Sequence, residues 1–318
     1  MHQSASVSTP NVALAAEITM KLIGQAPRKV RRFTTGARHY VFQAEFANRP
    51  AVVLRIGDRS AHSDMAGAVH LSGVLRPRGV PLPVILAQDI GAEFPWLMLE
   101  RLAGTDLGAV IDRLSPEQLD KITAKVANAQ AVTAKTGSAG RYGYAVLPQQ
   151  ASHATWSQVV EAGIDRSRRR ISTAGLFDAG LADIVRHALI TMRDQVDRIA
   201  PTPFLHDTTT KNVIVAADGE FSGIVDVDDL CFGDARYPAA LTLAALMARG
   251  CPVHYVCSWL RHARQSDDRV FRLYVTSFLL DLMAEYGHAF NGSNRPLTPE
   301  ARMALHRAFE GSLRSIEN

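Results

Sequence analysis

Residues 206–215 read HDTTTKNVIV, with Asp207 and Asn212 on a polar stretch that runs straight into β-branched residues. A carboxylate can accept the proton of a hydroxyl, and an amide oxygen is a hard ligand for a divalent cation, so this stretch carries two groups that phosphoryl transfer needs. Taken alone, the pattern also suits an Asx-type turn. The residues that follow add to it. NVIVAADGEFSGIVDVDD holds two apolar runs around Asp218-Gly219, and an Asp-Gly pair between such runs predicts a hairpin. A two-residue turn there sets Ala217 opposite Glu220 and Asn212 opposite Val225, which returns Asp226 to within one residue of Asn212. Magnesium takes one or two protein oxygens and completes its shell with phosphate and water oxygens. Asn212 and Asp226 suit that habit, and Asp207 is left to face a hydroxyl.

These residues need a frame. From 29 to 100, KVRRFTT, HYVFQAEF and PAVVLRI read as short strands separated by TGAR and ANRP turns; a helix at about 62–76 follows, then two further apolar runs, PLPVILAQD and FPWLMLE. Beyond RLAGTDL the pattern is mainly helical. SPEQLDKITAKVANAQAVTAK opens with Ser115 as N-cap, Pro116 in the first turn and Gln118 placed to close a capping box. Further helical patterns cover about 154–172, 177–199, 236–249, 268–287 and 298–316, and only 203–227 interrupts them with strand character. The expected fold is therefore α+β and bilobal: a flexible N-terminus at 1–10, a small antiparallel-sheet lobe at 11–100, a connector at 101–106 and a larger helical lobe at 107–318. A ligand is expected in the cleft between the lobes.

An Asp-x4-Asn loop followed by a hairpin ending in aspartate is the protein-kinase arrangement. With IVDVDDLCFGDARY after the hairpin, the chain resembles the aminoglycoside phosphotransferase and choline kinase group of small-molecule kinases. The resemblance implies a protein-kinase-like fold, ATP or GTP with Mg2+, and phosphorylation of a hydroxyl on an aminoglycoside or other antibiotic, an amino alcohol or a sugar. Matched residue by residue, it implies Asp207 as catalytic base, Asn212 and Asp226 as metal ligands, and a structural turn at Gly233-Asp234. FTTGARHYVFQAEF resembles the nucleotide-covering hairpin, with Gly36 as its one loop glycine, and Arg55 in VVLRI falls where a phosphate-binding lysine usually sits. LMLERLAGTDL resembles the adenine hinge, which puts Leu99 at the back of the pocket and the backbones of Glu100 and Leu102 on the base. Lys211 and Asp228 are candidates for contact with the substrate or for holding the site residues from behind.

The chain departs from that pattern in four places. The glycine between histidine and aspartate is missing at His206-Asp207. An arginine replaces the lysine, which exchanges a point charge for a two-pronged grip on phosphate. Ala68 holds the place of the helix glutamate that usually pairs with that lysine, and Asp64 lies about one helical turn early. Pro238 stands where an aspartate often follows the Gly-Asp turn. The missing glutamate and sparse glycine loop motivate one alternative, a nucleotide-binding module that transfers nothing. Another is a haloacid-dehalogenase-type phosphatase with Asp226 as nucleophile; that fold needs a mostly parallel sheet.

Composition narrows the remaining classes. The chain has 318 residues, 47% of them hydrophobic, without an apolar run long enough to span a bilayer and with no basic leader, so a soluble cytoplasmic protein is expected, with no membrane partner. Three cysteines without a CxxC pair predict neither a disulfide framework nor a zinc site. The formal charge of +4 concentrates in DRSRRRIS at 165–172, which reads as a solvated helix face because no aromatics interleave for base stacking; no nucleic-acid partner is expected. A monomer or homodimer is expected. Trp96, Trp156 and Trp259 read as core, and Asp267-Asp268 as a helix cap.

Overall fold

The computed structural model describes residues 9–33, 39–290, 293–294 and 296–317; most of the expected flexible N-terminus, residues 1–8, lies outside them. Helix α1 (Val12–Ile23) precedes strands β1 (Lys29–Arg32), β2 (Tyr40–Glu45) and β3 (Val52–Ile56), then helix α2 (His62–Leu75) and strands β4 (Ile85–Asp89) and β5 (Trp96–Glu100). The five strands form one antiparallel sheet in the order β1-β2-β3-β5-β4. Their side-chain alternation sorts two faces. Phe42, Leu54 and Met98 are cross-strand partners, all buried with Ala15 of α1, whereas Arg55 and Leu97, one residue on, turn to the face covered by Met65 and Ala68 of α2. Period two thus sends Arg55 away from the apolar core and toward the cleft. β3 lies between β2 and β5, so Arg55 is not at a sheet edge.

The C-terminal part begins with β6 (Thr105–Asp106) and α3 (Pro116–Ala134), whose capping box forms at Ser115 and Gln118 as expected. Strand β7 (Gly143–Ala145) and helices α4 (Trp156–Ala174), α5 (Leu181–Thr191) and α6 (Arg193–Asp197) follow. Next come strands β8 (Thr202–Phe204), β9 (Val213–Val215), β10 (Phe221–Ile224) and β11 (Leu230–Gly233). The chain closes with α7 (Tyr237–Arg249), α8 (His254–Ala263), α9 (Arg269–Ala284), the short pair β12 (Ala289–Phe290) and β13 (Ser293–Asn294), and α10 (Pro299–Glu317).

Four details differ from the sequence expectation. The C-terminal part carries more than one hairpin: β10-β9-β6 and β7-β11-β8 form two three-stranded sheets, so the end of the expected connector pairs with the hairpin. β11 is a four-residue run buried along its length, too short for periodicity to separate it from helix. α8 was not expected, and the helix expected at 177–199 breaks at Met192, whose backbone leaves helical angles. All strand pairings among the described residues are antiparallel, which removes the parallel sheet that the phosphatase alternative requires.

The larger core packs α9 between α4, α7 and α10 around Trp156, which is fully buried and donates its indole N–H to Tyr274 Oη at 2.8 Å. Trp96, Trp156 and Trp259 are all core residues. Tyr274 in turn donates to Asp234 at 3.1 Å, and Arg236 forks onto the same carboxylate, so the Gly233-Asp234 turn is tied into this core. Asp268 caps α9 through Phe271 N. A second cluster joins Leu71, Leu75, Val80 and Leu82 to Leu205, Ile224, Leu230 and Phe232 and so fastens α2 to the hairpin. Full burial of each such side chain is worth about 1.5–3 kcal/mol, which makes that seam a rigid platform for what lies between.

Candidate active site

The loop 205–212 is held from below. Gln130 on α3 accepts from Leu205 N (3.0 Å) and donates to Leu205 O and Thr208 Oγ1 (2.8 and 2.9 Å). Gly108 N donates to Thr210 O at 3.0 Å. Thr208, Thr209 and Thr210 are buried, and Thr209 donates its hydroxyl to Asp207 Oδ1 at 2.9 Å. The half-buried Asp207 therefore keeps one carboxylate oxygen engaged by the loop. Asn212 Nδ2 donates to Asp207 O at 3.0 Å, which turns the amide oxygen the other way. Gln130 was not identified from sequence; its signal is a polar side chain on a helix stripe that otherwise carries Ile122, Val126, Ala129 and Thr133.

The hairpin does bring Asp226 back. Its turn starts one residue earlier than expected, with Gly219 N donating to Ala216 O (3.0 Å), Gly219 at φ 86°, and Ala216 rather than Ala217 opposite Glu220. A bulge between Phe221 and Gly223 absorbs the extra residue, so Ile224 pairs with Val213 and Val225 N donates to Asn212 O at 2.9 Å. Asp226 follows with φ 66°, a left-handed conformation that few side chains other than Asp and Asn accept, and its carboxylate is half exposed.

Arg55 reaches Asp226 Oδ1 at 3.1 Å and also binds Asp228, which accepts from His39 Nε2 at 3.0 Å through the same oxygen. Burial alone would lower the guanidinium pKa, but Asp226, Asp228 and more weakly Asp64 outweigh it and raise it. For Asp228 burial pushes upward, yet Arg55 and His39 hold the carboxyl far below its usual range. Arg55, Leu99, Asp226, Ala68 and Ile224 line one cleft between the sheet and the hairpin, so the expected phosphate and adenine-back residues meet one of the two expected metal residues there, while Asn212 is not among the lining residues. Glu100 N donates to Val84 O at 2.9 Å, which leaves only its carbonyl for a base; Leu102 follows on the same edge, packed over Gly223. Gly36 lies outside the described residues, and Lys211 is exposed.

The donor set fits magnesium. Asn212 and Asp226 supply hard oxygens, and among the described residues no group of three or more His, Cys, Asp or Glu side chains forms a closed cage, so phosphate and water oxygens would complete the shell. Beside Asp207, His206 Nε2 meets Asp229 Oδ1 at 2.6 Å and the Tyr144 ring packs edge-on at 5.0 Å. Burial lowers the imidazole pKa, but Asp229, Asp207 and Asp226 more than compensate and raise it. The folded state therefore holds this proton more tightly than the unfolded chain. The stability it confers is complete below the unfolded value of about 6.5 and is lost as pH rises through the higher folded value. Urea unfolding at a series of pH values should show wild type losing stability above about pH 6.5 more steeply than His206→Gln; equal slopes would refute the assignment.

The model of the phosphotransferase enzyme family (APH) matches residues 29–270. A comparison with curated protein sequences returns no match. Solved structures do match. A thermostable variant of aminoglycoside phosphotransferase APH(4)-Ia, in ternary complex with AMP-PNP and hygromycin B, superposes with TM-score 0.66 at 17% identity, covering 95% of this chain and 98% of that one. Aminoglycoside phosphotransferase APH(2'')-Ib with ADP gives TM-score 0.61 at 12% identity over 94% and 97% of the two chains. The GDP and kanamycin complex of APH(2'')-IIIa gives 0.65 at 14% identity over 96% and 98%. At these identities the likeness is one of fold.

Proposed function

The chain belongs to the phosphotransferase enzyme family and is a small-molecule kinase, and from that premise we propose that it transfers the terminal phosphoryl group of ATP or GTP to a hydroxyl of a small acceptor. The observation that carries the reading is the meeting of Arg55, Leu99 and Asp226 in one cleft, with Asn212 and Asp207 at the neighbouring strand end. In this reading residues 11–100 hold the nucleotide, 101–106 join the parts and 107–318 hold the acceptor. The base lies against Leu99, with the Glu100 carbonyl and Leu102 amide on its edge. Arg55 grips phosphate oxygens through a planar fork. Asp207 orients the acceptor hydroxyl and takes its proton as the oxygen attacks phosphorus in line, while the nucleoside diphosphate leaves with the bond electrons. Asn212 and Asp226 hold magnesium, which when bound neutralises charge on the phosphates. Catalysis is then mostly positioning and charge neutralisation.

Among acceptors, aminoglycosides come first in this proposal, supported by structures of this fold solved with hygromycin B and kanamycin, then amino alcohols and sugars. Asp228 gives Arg55 a buried carboxylate partner from across the cleft, which weakens the case for a module that binds nucleotide without transferring phosphate. Among the described residues no helix is long and apolar enough to cross a membrane, in keeping with a proposed cytoplasmic site of action. Incubating the protein with Mg-ATP or Mg-GTP and a panel of these acceptors, and reading nucleotide hydrolysis and product mass together, tests the proposal. Nucleotide binding with no phosphorylated product across a broad metabolite panel would overturn it.

A further inference from the structure

We propose that Asp228 is the positioning residue for Arg55, doing from the loop after the hairpin what a helix glutamate does in the protein-kinase arrangement; the proposal rests on the reading of Arg55 as the phosphate-gripping residue.

Three observations converge on this. The α2 residues that line the cleft with Arg55 are Ala68 and Ser72, neither of which carries a charge, and Asp64 on the same helix acts on the guanidinium more weakly than Asp228 does. Asp228 is buried, and one of its oxygens holds Arg55 from the hairpin side and His39 from the residue just before β2. The carboxylate therefore ties the base of the nucleotide-covering segment and the centre of the sheet to the metal-side loop. Finally, Arg55 Nε is buried with no partner among the described residues. A buried donor left unmade costs about 1–3 kcal/mol, a cost that an anion in the cleft would remove.

The division of labour between the two aspartates follows from exposure. Asp226 is half exposed and touches Arg55 through one oxygen, so it can turn to a cation when phosphates arrive. Asp228 is almost sealed and cannot leave without stranding a charge. It fixes the plane of the guanidinium before nucleotide binds and keeps it fixed afterwards. An arginine can play the lysine's part here because its fork serves two directions at once, one nitrogen bound to Asp228 and the others left for phosphate.

Calorimetric titration of the full chain with Mg-ATP and Mg-GTP tests this, with thermal unfolding run alongside so that every titration uses folded protein. Asp228→Asn is expected to weaken nucleotide binding by about 10-fold or more, in the range seen when a supporting partner behind a ligand-holding residue is removed. Ala68→Glu in that background, which returns a carboxylate to the helix face beside Arg55, is expected to recover most of the loss. Arg55→Met/Asp228→Asn is expected to bind as Arg55→Met does, because Asp228 acts only through Arg55. That double variant buries no charge at this point and decides between the outcomes if Asp228→Asn alone does not fold. Wild-type affinity in Asp228→Asn, or a double variant weaker than Arg55→Met, overturns the proposal and leaves the kinase reading standing. Absence of nucleotide binding in the unaltered chain overturns both.

Discussion

Asp207→Asn is expected to lower phosphoryl transfer by about 10²- to 10⁴-fold, the span a positioned general base contributes, and to leave nucleotide affinity unchanged. The substitution keeps the shape of the side chain and an oxygen for the Thr209 hydroxyl, which donates to Asp207 at 2.9 Å. It also keeps the loop, because Gln130 holds Leu205 and Thr208 through atoms that Asp207 does not share. What it removes is the charge that accepts a proton. The cleft proposed for the nucleotide is lined by Arg55, Leu99 and Asp226 and does not include Asp207, so binding of the donor should not move. Single-turnover transfer to an acceptor found in the panel, with nucleotide affinity measured by calorimetry on the same preparation, separates the two quantities. Full turnover by the asparagine variant would mean that another group takes the proton. Loss of nucleotide binding would mean that Asp207 belongs to the phosphate and metal set instead.

Much of this site was legible because its parts are close in sequence or fixed by a period. Asn212 and Asp226 flank one hairpin, with Asp207 on the loop that enters it, and a hairpin's register can be counted from its turn. The count placed the turn one residue late, yet the pairing at Asn212 came out as expected because a bulge at Ser222 absorbs the difference. Arg55 was singled out because its place in VVLRI matches a family position. Gln130, His39 and the pairing of Asp228 with Arg55 were not legible. His39 and Asp228 lie 189 residues apart and meet only when the sheet folds over the hairpin. No local rule encodes that pairing. β7 and β11 escaped for a different reason: β11 forms between β7 and β8, and strands of three and four residues carry too few periods in their own sequence to declare them. The same tertiary dependence applies to Arg55, whose partner was sought on the helix that covers it and sits instead on the opposite wall of the cleft.

Asp226→Gly should separate the chemistry of this site from its stability more cleanly than any other single change. Asp226 has φ 66°, a backbone conformation that costs an L-residue roughly 1–2 kcal/mol, less for aspartate, and costs glycine nothing. Glycine brings a penalty of its own, about 0.5–1 kcal/mol from the freedom it gains in the unfolded chain. The two nearly cancel. Arg55 loses its contact with Asp226 but keeps Asp228, so no buried guanidinium is stranded. The folded state of Asp226→Gly is thus expected to be as stable as wild type in the absence of nucleotide. Asp226→Ala retains the left-handed cost with none of the carboxylate's local hydrogen bonding, and should unfold at lower urea, by about 1 kcal/mol relative to the glycine variant. Both variants should transfer phosphate at least about 10²-fold more slowly than wild type, because removal of a preorganised charge at the phosphates costs that much or more. Urea unfolding of the three proteins without nucleotide, followed by transfer rates across a magnesium titration, measures both predictions. A glycine variant clearly less stable than the alanine variant would mean that the left-handed backbone at 226 costs an L-residue less than the freedom glycine gains in the unfolded chain, and two variants equally far below wild type would mean that the carboxylate holds this turn together. A glycine variant that transfers phosphate at the wild-type rate would remove Asp226 from the metal site altogether.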